Sequence, residues 1–360
     1  MARVDRDADR PPKRPWAILK LLLWPLVVSV LVIPQLPRFR EATIELQTIS
    51  AARLAIGFVL VMASIVCYSG LTSSALVDPA DRISHLSVFR IQLSTRALAN
   101  VVPGGNATAS ALGFRLLTHA GASNSGAGFA LATAGLGSAV VLNVVFWIAL
   151  AVALPAGGID GAFLVVALIG VGLIAGLVVV GVVVARAGDR LLGPIRGLAG
   201  RLRLDPDRLV GAARSVRDRI VALRGDGKLL RRIVVWALLQ WAFDMAALWV
   251  LLSAFDIALD PLILVLVFGA ANIAAAVPIT PGGLGIVEGV YITSLVQLGF
   301  TFEAATFGIA AYRMVQYVFP IVAGGMSYLS LRTGPWRLAA DADANAGAEA
   351  EAEAEAVEGS

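Results

Sequence analysis

The sequence predicts an all-α, polytopic transmembrane helix bundle with two broken or re-entrant hairpins arranged as an inverted repeat. Three observations predict it. The chain is 58% hydrophobic and 15% charged, more apolar than a soluble exterior permits. Several apolar runs reach about 18 residues or more, enough to cross a hydrocarbon core of about 30 Å. Lys and Arg are concentrated in some loops and absent from others, the pattern that sets membrane orientation.

Residues 1–15 carry Arg3, Arg6, Arg10, Lys13 and Arg14 and read as a basic cytoplasmic N-terminus. The run 16–34 resembles a secretory signal, but Pro25 and Pro34 interrupt it and no small-x-small cleavage site follows. It is expected to remain as a first helix. Apolar segments 51–71, 127–154 and 161–185 complete a first membrane half, 16–185, around the shorter pair 84–101 and 106–118. Residues 186–232 form a basic loop with 13 Lys/Arg against 5 Asp/Glu. A second membrane half, 233–331, contains 233–255, the short pair 261–277 and 282–298, and 304–331. Residues 339–360 are an Ala-rich tail whose acids (Asp341 to Glu358) meet no cation after Arg337, a composition that stays solvated and disordered.

The loops at 155–160, 256–260 and 299–303 contain no Lys or Arg. The basic loop and both termini are therefore assigned to the cytoplasm, and the protein to the cytoplasmic membrane. With those sides fixed, hairpin 84–118 enters and leaves from the cytoplasm and hairpin 261–298 from the outside. Each pair is split by Pro-Gly-Gly, at Pro103-Gly104-Gly105 and Pro281-Gly282-Gly283. Interrupted helices meeting from opposite sides are a recurring transporter design. Within the basic loop, Leu209, Ala213, Val216, Ile220 and Leu223 recur at helical spacing opposite Arg208, Arg214, Arg217 and Arg219. This suits an amphipathic helix on an anionic leaflet, or a connecting helix whose charges only fix topology.

Chemistry is expected at the breaks and at charges inside the apolar segments. Asn272, Pro278, Thr280, Pro281, Gly282, Gly283, Gly285 and Glu288 crowd one stretch. Proline removes amide donors and glycine permits unusual dihedrals, so such a stretch survives only within protein or beside a polar cavity. A helix resuming near Gly283 would point its amide-bearing, positive end at the break and suit an anion. A buried charge costs roughly 2.5–3.5 kcal/mol on insertion scales, so Asp244, Glu288 and Arg313 are paired or functional. One reading pairs Arg313 with Glu288 or Asp244 to lock helices. The other has Arg313 hold a phosphate bidentately while a carboxylate carries a proton or a cationic group. Gln316 and Tyr317 follow Arg313 along one side. In the first half Arg90, Arg96 and Arg115 flank Asn100, Pro103, Gly104, Gly105 and Asn106. Arg90 and Arg96 read as topology signals, and Arg115 is the binding candidate.

With one cysteine, Cys67, and two histidines, His85 and His119, neither an intrachain disulfide nor a His/Cys metal cluster is expected. No nucleotide loop, nucleophile elbow or metal spacing appears, so no cofactor and no catalytic residue is expected. The basic loop lacks interleaved aromatics, which speaks against nucleic acid. Membrane lipids, anionic phospholipids above all, are the expected partners, with a protein partner at the basic loop or acidic tail as an alternative.

The run Val277-Pro278-Ile-Thr-Pro281-Gly282-Gly283-Leu-Gly285-Ile-Val-Glu288-Gly289, followed by Ala311-Tyr312-Arg313, Phe319-Pro320 and Gly324-Gly325, resembles the transmembrane, flippase-like domain of lysylphosphatidylglycerol synthases. Pro103-Gly104-Gly105 with Arg115 is similar to a weaker upstream motif, and the resemblance covers about residues 50 to 332. It implies translocation of a phospholipid or lipid-linked anion. Full-length members continue into a soluble aminoacyltransferase domain where this chain has its acidic tail, so lipid aminoacylation is not implied. A membrane-embedded transferase using a lipid-linked donor, with Glu288 as its acid, and a non-transporting scaffold are the alternatives.

Overall fold

The computed structural model describes residues 50–76, 83–102, 105–153, 227–275 and 283–332, with isolated helical positions at 168, 171, 172 and 175. The expected helix 16–34, most of 161–185, the basic loop up to residue 226 and the acidic tail lie outside the described residues, as do Pro103, Gly104, Thr280, Pro281 and Gly282.

Among the described residues every regular element is a helix. They are α1 (Ala51–Ala75), α2 (His85–Val101), α3 (Gly105–His119), α4 (Asn124–Ala153), α5 (Gly227–Leu252), α6 (Pro261–Ala275), α7 (Ile286–Gln297) and α8 (Phe302–Arg332). Four of them, α1, α4, α5 extended by a short 3₁₀ turn to Phe255, and α8, are long and apolar enough to span a membrane. The other four have 12 to 17 residues, or about 18–26 Å at 1.5 Å per residue, which is short of the hydrocarbon thickness.

Local chemistry accounts for the helix starts. The hydroxyls of Ser84, Ser123 and Thr301 accept from the amides of Ser87, Gly126 and Ala304, capping α2, α4 and α8. Helix α5 begins at Gly227, inside the segment read from its charge as loop. Its first turns bury Leu229 and Ile233 against Leu71 while Lys228, Arg231 and Arg232 face outward. A cationic run is compatible with a helix end because long side chains reach polar surroundings. Helix α7 starts later than expected, because Gly283 and Gly285 take φ of 71° and 85°, a region closed to helices of L-residues.

The antiparallel pair α1/α5 organises the bundle. Gly57 lies against Leu251 and Gly70 against Trp236, where an added Cβ would come within 2.9 Å in each case. The α2–α3 hairpin opens at the end of this pair where α1 finishes. There Val88, Leu117 and Ala120 pack with Leu76, with Ala127 of α4 and with Leu331 of α8. The α6–α7 hairpin opens at the other end, where Leu252, Ile257 and Leu295 pack with Ala305 and Ile309. The two hairpins therefore enter from opposite ends, and Gly105 and Gly283 at their tips line one common cavity.

Helix α2 crosses α8 closely. A Cβ on Gly324 would collide with the Leu93 carbonyl oxygen and sit 2.7 Å from the Ala97 Cβ, the small-residue contact typical of membrane helices. The polar residues of α2 face inward: Gln92 donates to the Thr72 hydroxyl at 2.8 Å and Arg90 to Ser330 at 2.8 Å. Exposed Ile56, Val59, Ile148, Val152, Trp249, Val322 and Leu329 supply an apolar exterior. Gly324→Ala is expected to destabilise the protein by about 1–3 kcal/mol through overpacking. Gly325→Ala, with nothing within 4 Å of the added carbon, should leave thermal unfolding in detergent nearly unchanged.

Candidate functional site

The cavity between the hairpin tips has a volume of about 790 Å³. Six helices and the turn before α7 build its wall. Helix α2 contributes Arg96, Ala99 and Asn100, positions i, i+3 and i+4 on one face at its last turn. The tip of α3 adds Gly105 and Asn106; α5 adds Trp241 and Asp244, three residues apart and just past mid-helix. Asn272 and Ala275 come from α6, Gly283 from the turn, and Val287 and Tyr291 from α7. Arg313, Gln316 and Tyr317 complete it from α8.

The last three sit at a local irregularity. Residues Met314–Val318 form a π turn, after which the Phe319 amide donates to the Met314 carbonyl. Pro320 lies four residues beyond Gln316, so an ordinary α turn would press its ring on the Gln316 carbonyl. The wider turn relieves that clash and swings Gln316 and Tyr317 toward the cavity; π turns occur often at functional sites. A second π turn, Thr133–Gly137 in α4, precedes Ser138, which donates to Gln240 at 2.7 Å and accepts from Trp241 Nε1 at 2.9 Å. This anchors the α5 face carrying Asp244.

A chain of polar contacts runs along one wall. The Gly285 amide donates to Glu288 Oε2 at 2.6 Å, and Arg313 Nε donates to Glu288 Oε1 at 2.6 Å. Arg313 Nη1 donates to Gln316 Oε1 at 3.1 Å, and Gln316 Nε2 to the Tyr312 hydroxyl at 2.7 Å. The Arg313 guanidinium also lies over the Tyr317 ring, 5.2 Å from its centroid. Tyr317 in turn clamps the end of α2: its hydroxyl donates to the Asn100 carbonyl, and Asn100 Nδ2 donates back to the Tyr317 carbonyl at 3.3 Å. Asn272 Nδ2 donates to Phe268 O at 2.9 Å and to the Tyr291 hydroxyl at 3.3 Å.

The opposite wall is organised differently. Asp244 is 1% exposed, and neither carboxylate oxygen accepts a hydrogen bond. Arg96 Nη2 stands 3.9 Å from Asp244 Oδ2, and the Arg96 side chain keeps 29% of its surface open. Gln316 and Arg313 also face the carboxylate.

Of the residues singled out from sequence, the structure brings Gly105, Asn106, Asp244, Asn272, Gly283, Arg313 and Tyr317 to the cavity. Glu288 and Gly285 stand behind Arg313 rather than in the wall. Of the two carboxylates that the sequence offered as partners for Arg313, Glu288 is the one in contact with it. The free positive helix end expected at the second break is already met by the protein's own Glu288 carboxylate. Arg115 is not at the cavity: it is exposed, nearly three turns down α3 from the tip. Arg96 takes the place foreseen for it, together with Asn100, Trp241, Tyr291 and Gln316. Arg96 lies four residues before Asn100 in the same helix, so both share one face next to the break.

The Glu288–Arg313 contact should behave as a coupled pair. A double-mutant cycle of Glu288→Gln and Arg313→Gln, read as unfolding free energy in detergent, is expected to give a coupling of about 1–3 kcal/mol. Values near zero would mean the contact contributes nothing.

Comparison with known proteins agrees with this architecture. The chain is 28% identical over 169 residues to Glycosyltransferase AglD of Haloferax volcanii, a match covering 45% of this chain. It spans only 27% of the length of that curated relative. The family model described as the lysylphosphatidylglycerol synthase TM region matches residues 15–324. The chain thus belongs to the lysylphosphatidylglycerol synthase transmembrane-region family, as a multi-pass membrane protein.

Proposed function

We propose that this protein translocates a phospholipid or lipid-linked anionic substrate across the cytoplasmic membrane, its head group passing through the cavity between the hairpin tips. The observation that carries the reading is the meeting of two interrupted helix pairs, from opposite ends of the bundle, at one chamber furnished with two arginines. Its volume falls within the roughly 300–1,000 Å³ usual for ligand sites. Polar and charged groups held together inside an apolar bundle are costly unless a polar ligand or water uses them. Acyl chains can stay in lipid against the apolar exterior while the head group travels.

Within this reading Arg96 is the primary anion anchor. Its guanidinium lines the cavity and, among the described residues, is held only by a long ion pair, and its planar fork suits a phosphate. Arg313, already donating to Glu288 and Gln316, supplies field and shape beside it. Loop charges support cytoplasmic termini, and in this reading the α2–α3 hairpin faces the cytoplasm and α6–α7 the exterior.

The matched glycosyltransferase motivates a second reading, a membrane-embedded transferase using a lipid-linked donor. Glu288 would be its acid, and product formation from a lipid-linked sugar would be lost in Glu288→Gln.

Protein reconstituted in liposomes should move a labelled anionic phospholipid between leaflets. Arg96→Ala is expected to slow that exchange at least tenfold, the loss of one charged hydrogen-bonding group of about 1.5–3 kcal/mol. Arg313→Ala should abolish it, whereas Arg115→Ala should retain it. Exchange no faster than in protein-free liposomes would refute the proposal.

A further inference from the structure

The two arginines at the cavity are matched by two carboxylates, in an arrangement that is neutral and unequal. Arg313 and Glu288 form a tight pair at 2.6 Å, and the second Glu288 oxygen is held by the Gly285 amide. Arg96 and Asp244 form a loose pair at 3.9 Å, and Asp244 accepts no hydrogen bond although it is 1% exposed. Among the described residues Arg96, Asp244 and Arg313 are the ionised side chains of the cavity wall, and Glu288 stands directly behind Arg313. Two positive and two negative charges therefore leave it without net charge.

An anion entering this site claims Arg96, the cation in salt-bridge range of Asp244, while Arg313, which also faces Asp244, stays paired with Glu288. The cavity would then hold an excess negative charge, and the Asp244 carboxylate would be buried beside it with no donor. Uncompensated buried charge is the arrangement least tolerated at low dielectric, and protonation is the usual relief. Resting on the transport reading above, we infer that anion binding is coupled to uptake of one proton by Asp244. The exchange balances: an ionised Asp244–Arg96 pair plus an anion and a proton from water become an Arg96–anion pair and a neutral Asp244 carboxylic acid.

Glu288 is not assigned as the acceptor, because both its oxygens are already engaged, one by the Gly285 amide and one by Arg313. The other groups facing Asp244 fit this assignment. They are Arg313, Tyr312 and Gln316 from α8 and Tyr291 from α7, with Tyr68 of α1 facing Arg96. Helices α4 and α6 contribute no titratable side chain. Neutral Asp244 gains a hydroxyl that can donate to Gln316 or to the ligand. Transport of a singly charged head group would then move no net charge, and a pH difference across the membrane would drive it.

Titrating the purified full-length protein with short-chain phosphatidylglycerol, in two buffers of different ionisation enthalpy, counts the protons. About one proton should be taken up per lipid bound, and near neutral pH the affinity should fall about tenfold per pH unit as pH rises. Asp244→Asn should bind with an affinity that no longer depends on pH and should take up none. Lipid binding without proton uptake by the unaltered protein overturns the coupling while leaving the transport reading intact. Equal uptake by Asp244→Asn overturns the assignment to that residue. Absence of lipid binding by the unaltered protein overturns the transport reading and the coupling together. Should Asp244→Asn fail to fold, the proton count of the unaltered protein still decides for or against coupling.

Discussion

A helix that stops inside a hydrocarbon layer strands amides and carbonyls that cost several kcal/mol each if they find no partner. This chain has helices that end at a tip in each half, and much of its remaining structure supplies what those ends need. At the second tip Glu288 takes the Gly285 amide and hands its other oxygen to Arg313. At the first, Tyr317 and Asn100 exchange hydrogen bonds so that the last turn of α2 is fastened to α8. Both devices draw on one short stretch of α8, from Arg313 to Tyr317, and the π turn there is what lets a single helix serve both breaks. The cavity is the space left between two solutions to the same backbone problem.

The same stretch divides the work of the charges. Arg313 is drawn into the scaffold by Glu288 and Gln316. Arg96, on the facing hairpin, is held loosely enough to exchange partners. A tight pair that fixes geometry beside a loose pair that can open is a physically economical way to have a rigid chamber with a responsive charge. The close packing of Gly324 on Leu93 transmits that rigidity to the α2 helix that bears Arg96.

Much of this was legible in the residues. Charges interrupting apolar runs stand out against their cost, so Asp244, Glu288 and Arg313 announce themselves, and the two Pro-Gly-Gly breaks mark where the hairpins turn. Loop charge gave the parity from which opposite entry follows. The choice between Arg96 and Arg115 was not legible, because both flank the same break and only the rotation of each short helix decides which faces inward. Helix α2 is rotated so that Gln92, Arg96 and Asn100 look into the bundle. The π turn left a single trace, Pro320 four residues past Gln316, which also fits an ordinary kink. The start of α5 was obscured because a cationic run reads as loop although the helix simply extends past the apolar layer.

The central claim is that the two hairpins open at opposite faces of the bilayer onto one chamber. Single cysteines introduced by Ser123→Cys and Asp260→Cys in a Cys67→Ser background, probed with an impermeant maleimide on sealed vesicles of known orientation, test it most directly. Labelling of the two positions from opposite sides, with Asn106→Cys at the chamber protected by added anionic lipid, is the predicted result. Labelling of both mouths from the same side would contradict the account.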